Sequence, residues 1–369
     1  MPSSHFLERG SVKIVYNSFN GRYSDSPRVI HEALLARAER HEHVWLSEPE
    51  SEGQFPDGTA TVPIYTPAAV AALESADLVV SNSHLEMDWS KRPGATYVQT
   101  WHGTPLKRIH ADVLWGPEGL LEHLSVDVDR WDVLLSPNRY STAALRGAFR
   151  WSGEVLETGY PRNDVLVSPH ALEVRARVRR ELGIEDGRTV VLYTPTWRDD
   201  AFWEGSPLTE PLELDVDRFL ADLGTDHVLL LRLHYKLTGR LRPRSHPAVR
   251  DVSHHPDVAD LYLAADAMVT DYSSTMFDFA VTGKPLFLYT YDLERYRDEL
   301  RGFYFDLSDD PPGPLVATTD QLIQQLRQVE NARAQYAPGY ARFRERFCHL
   351  DDGRATERFL ARFFPDTDG

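Results

Sequence analysis

Gly94-Ala95-Thr96-Tyr97-Val98-Gln99 runs directly into Thr100-Trp101-His102-Gly103-Thr104-Pro105-Leu106-Lys107. The first six residues are short and β-rich. Gly103 permits a sharp turn or a close backbone approach, and Pro105 ends a strand and suits the first turn of a helix. The stretch therefore reads as a strand that delivers His102 to its carboxyl end, where open α/β sheets gather ligands. Taken alone, a histidine beside a tryptophan fits a packed residue equally well.

Working outward, the same rhythm recurs. Val12 to Asn17 is a strand, Ser18-Phe19-Asn20-Gly21 breaks it, and Pro27 to Leu35 has helical spacing, with Ser26 placed to cap it. The loop from Asn20 to Pro27 either caps that helix and does nothing more or forms one wall of an acceptor site. His43–Leu46 is a strand, 54–61 a loop, Pro67–Leu73 a helix and Ala76–Asn82 a buried-type strand. Trp131–Ser136 is another strand and Ser141–Arg146 a helix. Strand and helix alternating in this way predict α/β architecture with a parallel sheet and helices on both faces.

Gly159 and Pro161 punctuate Thr158-Gly159-Tyr160-Pro161-Arg162-Asn163-Asp164, which places a domain junction near residue 165. Ala171–Leu182 is then an Arg- and Glu-rich helix. Thr189–Tyr193 is a strand delivering Thr194-Pro195-Thr196-Trp197-Arg198, with Arg198 either an oxyanion clamp or a surface residue with its stem over Trp197. His227–His234 is an apolar strand with a second exit histidine, His234. Val252–Val258 is a loop, Ala259–Ala264 a helix and Ala267–Thr270 a strand. Asp271-Tyr272-Ser273-Ser274 precedes an apolar helix; its serines are either ordinary caps or the start of an anion site, since free N–H groups and the helix dipole favour a phosphate there. Leu286–Tyr289 is a strand, and Asp320–Val329 and Gly353–Phe364 are helices.

Composition bounds the function. At 369 residues, with 42% hydrophobic and 26% charged residues, the chain reads as two soluble domains. A net charge of −16 argues against nucleic acid as a partner, because phosphate neutralisation needs a basic footprint. One cysteine, Cys348, excludes a disulfide framework and a thiolate metal cluster. No apolar run approaches the ~20 residues needed to span a bilayer, and the first residues lack a signal-peptide core. The expected place is the cytoplasm, with room for peripheral contact at the inner face of the membrane. HExxH, the Walker loop and GxGxxG are all absent.

Taken in order, Trp101–Lys107, Thr158–Asp164, Tyr193–Arg198, Thr270–Ser274 with Phe277-Asp278-Phe279, Arg301-Gly302-Phe303-Tyr304 and Asp351-Asp352-Gly353-Arg354-Ala355 resemble the catalytic domain of the CDP-glycerol glycerophosphotransferase family, the teichoic-acid primases and polymerases. The resemblance covers nearly the whole chain. It implies a GT-B architecture, two Rossmann-like domains facing a central cleft: residues 1–165 on the acceptor side and 166–369 on the CDP-polyol side, with the last helix packing back on the first domain. It implies no cofactor and no obligatory metal. His102 is the expected general base, with His234 as a second catalytic group. Arg198, Thr270, Asp271, Ser273 and Ser274 would hold the donor, and the backbone of Val252 and Ser253 would read the cytosine. Gly21, Asp25, Gly103, Thr104 and Lys107 would meet the acceptor, a polyol phosphate, glycan or lipid-linked hydroxyl. Many members carry extra N-terminal segments for membrane or acceptor attachment, whereas this chain begins almost at once with its first strand. The rival readings are a nucleotide-sugar glycosyltransferase on the same fold, a CDP-glycerol hydrolase, and a non-catalytic cell-wall partner.

Overall fold

The computed structural model describes residues 11–37, 40–114, 120–196, 198, 212–233 and 246–365. Its contacts divide the chain into two compact units. One holds the described residues up to His102, those ending at Asp164 and those from Leu350 on; the other holds the described residues within 103–114 and 165–349. The described residues therefore change units four times, where the sequence suggested a division at residue 165 with the last helix returning to the first domain.

The first unit carries a sheet of seven strands, β1 (Lys13–Asn17), β2 (Glu42–Ser47), β3 (Thr61–Pro63), β4 (Leu78–Ser81), β5 (Thr96–Gln99), β6 (Val133–Ser136) and β7 (Glu154–Glu157). The order is 3-2-1-4-5-6-7 and every pairing is parallel. That order begins as the doubly wound 3-2-1-4-5-6 pattern does. Central strands of such sheets are covered on both faces, so they read as unbroken apolar runs. Ile14, Val15 and Tyr16 in β1 and Leu78, Val79 and Val80 in β4 are accordingly all buried. The register pairs Ile14 with Leu78 and Val15 with Val79. After β1 the chain enters α1 (Asp25–Leu35). Its N-cap is Ser24, not Ser26, and Ser24 makes no side-chain capping bond.

The helix Ala355–Phe363 belongs to this unit and sends Phe359 and Phe363 into the core formed by Ile14, Tyr16, Leu78 and Val98. Two of the sequence motifs prove to be the fastening. The Asp164 carboxylate accepts the N–H groups of Ala355 at 2.9 Å and Thr356 at 2.8 Å, capping the helix from 191 residues away in sequence. Asn163 Nδ2 donates to Asp351 at 3.0 Å, and Arg358 donates to the carbonyls of Thr158 and Leu350. Gly159, at φ +80°, lies so close to the Leu350 carbonyl that a Cβ would meet its oxygen at 2.8 Å.

The second unit carries a six-stranded sheet, β8 (Thr189–Thr194), β9 (His227–Leu231), β10 (Val249–Asp251), β11 (Ala267–Thr270), β12 (Leu286–Tyr289) and β13 (Leu315–Val316), in the order 10-9-8-11-12-13 and again wholly parallel. Relabelled from its own first strand, this too is 3-2-1-4-5-6. Its core joins Val191, Tyr193, Leu229, Val269 and Phe287 to Phe219, Leu322 and Leu326 of the flanking helices. No described helix is long and apolar enough to cross a membrane.

An acid-sensitive cluster lies in the first unit. His31 and His43 stand 5.0 Å apart between Tyr16, Tyr23 and Trp45, with Tyr16 Oη 2.9 Å from His43 Nδ1 and Tyr23 Oη 3.1 Å from His31 Nδ1. Burial, and then a neighbouring histidine in each case, pushes both down to about 4. A lowered folded-state pKa means that the unfolded chain takes up protons first as pH falls through ~6.5. Stability is thus full above pH ~6.5 and is lost progressively toward pH 4, by about 2–4 kcal/mol for the pair after partial solvent screening. Urea midpoints measured between pH 7.5 and 5, above the carboxylate range, check this; the slope flattens in His43→Gln.

Candidate active site

In a doubly wound sheet the ligand crevice lies at the carboxyl ends of the strands where the order reverses, here β1 with β4 in the first unit and β8 with β11 in the second. Both ends carry the residues singled out from the sequence.

His102 follows β5 and is partly buried. Gln99 sets up the turn: its Oε1 accepts the Trp101 N–H at 2.9 Å and its Nε2 donates to the Ser83 carbonyl at 3.1 Å. Trp101 is thereby held at φ +54°, a conformation costly for a bulky residue and typical of functional turns. Its indole stacks on His102 at 4.3 Å, and Phe19 meets the imidazole edge-on at 5.3 Å. His102 Nδ1 lies 2.5 Å from the carbonyl oxygen of Asn82. A carbonyl only accepts, so Nδ1 carries the proton and Nε2 keeps its lone pair. Burial pushes His102 down to about 4, partly opposed by the Asn82 carbonyl and Asp25 and reinforced by Arg162 and His84. The imidazole is neutral at pH 7 and ready to accept a proton at Nε2.

Asp25 begins α1 at φ +61° and is buried. One of its oxygens accepts the Ser26 N–H at 2.7 Å, and the other accepts Arg162 Nη1 at 2.9 Å. Arg162 lies over the Tyr160 ring at 4.3 Å and is 2% exposed. Gly21 has a packing reason for being glycine: at φ +115°, a Cβ would meet the Glu48 nitrogen at 2.3 Å. Two buried oxygens at this end, Asn17 Oδ1 and Ser26 Oγ, have no hydrogen-bond partner among the described residues. Buried polar atoms are almost always paired, so such a pair marks a place where water or a ligand completes the bonding.

Gly103, Thr104 and Lys107 group with the second unit, although the sequence placed them with the acceptor domain. Their loop pairs with the Arg301–Tyr304 motif: Arg108 N–H donates to the Gly302 carbonyl, Tyr304 N–H donates to the Leu106 carbonyl, and Lys107 bridges Phe303. At Gly103 a Cβ would meet Ser274 Oγ at 2.5 Å, so glycine is needed for this loop to lie against the start of the helix Thr275–Val281. Ser273 and Ser274 are partly exposed and Ser274 makes no side-chain capping bond, whereas Ser273 Oγ accepts the Thr275 N–H at 3.4 Å.

Arg198 is committed to the protein itself. Nε and Nη2 grip Asp292 at 2.8 and 2.9 Å, and Nη1 reaches Asp271 at 2.9 Å and the Thr196 carbonyl at 2.8 Å. Three rings, those of Tyr272, Tyr291 and Tyr296, surround its guanidinium at 4.7 to 5.3 Å. Asp271 is equally occupied, accepting the N–H groups of Thr196 and Tyr272 as well as Arg198. Thr270 Oγ1 donates to the Thr194 carbonyl. These three expected donor contacts therefore fasten the ends of β8 and β11 together. The expected cytosine readers are likewise engaged within the protein. The Val252 N–H donates to Leu231 and its carbonyl accepts Arg232; the Ser253 N–H goes to Asp251, and its hydroxyl accepts the Leu233 N–H. The second catalytic candidate, His234, and Trp197 lie outside the described residues. The sequence reading missed Gln99, which bonds Trp101 two residues on, and Asn82 and Arg162, whose side-chain partners are distant in sequence; only the position of Asn82 at the exit of an apolar strand hinted at its part.

A family model described as CDP-glycerol:poly(glycerophosphate) glycerophosphotransferase matches residues 3–364. A teichoic acid poly(glycerol phosphate) polymerase of Staphylococcus epidermidis is 36% identical over 355 residues, which are 93% of this chain and 49% of that protein. The chain thus spans about half the length of that relative. A teichoic acid glycerol-phosphate transferase of Staphylococcus aureus is 38% identical over 365 residues, 95% of this chain and 92% of that protein. A solved structure of the wall teichoic acid polymerase TagF, a variant soaked with CDPG, matches with a TM-score of 0.87 at 34% identity, covering 98% of this chain and 90% of that one. On this match, running from one end of the chain almost to the other, the chain belongs to the CDP-glycerol:poly(glycerophosphate) glycerophosphotransferase family.

Proposed function

We propose that the chain transfers glycerol phosphate, or a related polyol phosphate, from a CDP-polyol to an acceptor hydroxyl in the synthesis of a teichoic-acid-like polymer, and that its two sheets are the two domains of a GT-B transferase. The observation that carries this reading is His102: a neutral imidazole whose Nδ1–H is tied to a carbonyl and whose Nε2 is left basic. The acceptor oxygen attacks the distal phosphorus of the donor in line, its proton passes to His102 Nε2, the bond to the bridging oxygen breaks, and CMP leaves. Such phosphoryl chemistry asks the protein mainly for positioning and charge stabilisation. Asn17 Oδ1 and Ser26 Oγ suit the hydroxyls of a polyol acceptor, and the Ser273–Ser274 turn suits a donor phosphate.

Thermal shift with CDP-glycerol, CDP-ribitol, CMP and UDP-glucose tests the donor. A ligand at 100 times its Kd stabilises by about 2.7 kcal/mol, so a CDP-polyol raises the melting temperature above the CMP level. A response to UDP-glucose alone would replace this reading with sugar transfer. Replacing Ser273 and Ser274 together with Ala raises the KM for donor about tenfold while kcat changes little, as measured by CMP release.

A further inference from the structure

We propose that Asn82 is a positioning residue for His102: its side chain latches the loop after β1 so that its own carbonyl holds the imidazole in the Nδ1–H form. The inference rests on the reading of His102 as the base. Asn82 is fully buried at the exit of β4 and ties together the ends of three strands. Its N–H donates to the Asn17 carbonyl at 3.3 Å, closing onto β1. Its Oδ1 accepts the Phe19 N–H at 2.9 Å, and its Nδ2 donates to Ser18 Oγ at 3.1 Å. Its carbonyl takes the His102 proton beyond β5. Ser18 Oγ in turn lies 3.0 Å from Ser24 Oγ, at the N-cap of α1.

Phe19 shows why the side chain matters. At φ +45° it sits where a bulky residue is rarely found, and such conformations persist only when surrounding bonds over-determine them. The Asn82 amide supplies that constraint, and the Phe19 ring it fixes is one of the two that bracket the imidazole. Without the amide the loop relaxes, the Asn82 peptide is free to turn, and His102 reverts to a mixture of tautomers in which Nε2 often bears the proton. A base with its proton on the wrong nitrogen cannot accept one from the acceptor. The charged and titratable groups acting on the ring, Asp25, Arg162 and His84, are left in place by the change.

The test is Asn82→Ala in the full chain, with nitrogen-15 NMR of the His102 ring and steady-state kinetics at pH 8, where the imidazole is neutral in every variant. The expected result is loss of the pure Nδ1–H signature and a 10- to 100-fold fall in kcat with the donor KM within about twofold. Asn82→Asp, which keeps the oxygen facing Phe19 N–H, recovers most of both. If Asn82→Ala does not fold, Ser18→Ala, which frees one arm of the latch, gives a smaller shift of tautomer and rate in the same direction. An unchanged Nδ1–H signature with wild-type kcat in either Ala variant would overturn the latch. Full turnover in His102→Gln would instead remove the base reading beneath it, so the two failures are separable.

Discussion

Replacing His102 with Gln lowers turnover by about 10²–10⁴-fold, the usual worth of a positioned general base, while a CDP-polyol still raises the melting temperature of the variant. Gln fills similar space and can still donate to the Asn82 carbonyl, so the packing between Trp101 and Phe19 persists and only proton acceptance is lost. The pH dependence sharpens the expectation. A base works in its neutral form, and an ordinary histidine would lose half of it at ~6.5. Burial holds His102 near 4, so kcat/KM, which reports the free enzyme, stays flat down to about pH 5 and falls only below that. The anionic donor phosphate favours imidazolium, so the acid limb of kcat lies at higher pH than that of kcat/KM. Coinciding limbs at ~6.5 would mean a histidine that is not buried as found, and unchanged turnover in His102→Gln would end its candidacy as the base.

Most of the strand positions were legible because the buried runs of a parallel sheet are short, apolar and separated by turn residues; Ala267–Thr270 and Leu286–Tyr289 match to the residue. What escaped had local reasons. The strands Thr61–Pro63 and Val249–Asp251 are edge strands of three residues with little apolar content, so their pairing comes from the neighbouring strand rather than from their own sequence. The 19-residue helix Val329–Phe347 was given no element of its own in the sequence analysis; it holds Pro338 and Gly339, a pair that ordinarily punctuates a helix. The glycine is there for close approach: a Cβ would meet the Pro311 carbonyl oxygen at 2.7 Å. Within the site, His102 could be placed at a strand exit because that depends on nearest neighbours in sequence. The roles of Arg198 and Asp271 could not, since they depend on Asp292, 94 residues from the arginine, and on three tyrosines brought together only by the fold. An arginine beside a strand end looks the same in sequence whether it faces a phosphate or two carboxylates.

That ambiguity makes Arg198 the second decisive substitution. Arg198→Met destabilises the protein by about 3–5 kcal/mol, the cost of leaving one side of a buried ion pair without its partner. Asp271 is 1% exposed and loses its charged neighbour, although the N–H groups of Thr196 and Tyr272 remain to it. Asp292 loses a two-point grip and keeps the Tyr272 hydroxyl, 3.0 Å away. Burial works against the charge of the guanidinium, but Asp271 and Asp292, with the surrounding tyrosines, outweigh it and hold Arg198 cationic throughout the accessible pH range. Lys cannot reproduce the fork, so Arg198→Lys also loses stability, by about 1–3 kcal/mol. Adding Asp292→Asn to Arg198→Met recovers part of the loss, because the orphaned charge is gone, and a double-mutant cycle in urea reads that coupling directly. Donor affinity falls only as far as the β8 and β11 ends loosen. The opposite pattern, wild-type stability with donor affinity reduced a hundredfold, would mean that the guanidinium leaves its carboxylates to grip the donor phosphate, and Arg198 would return to the binding site.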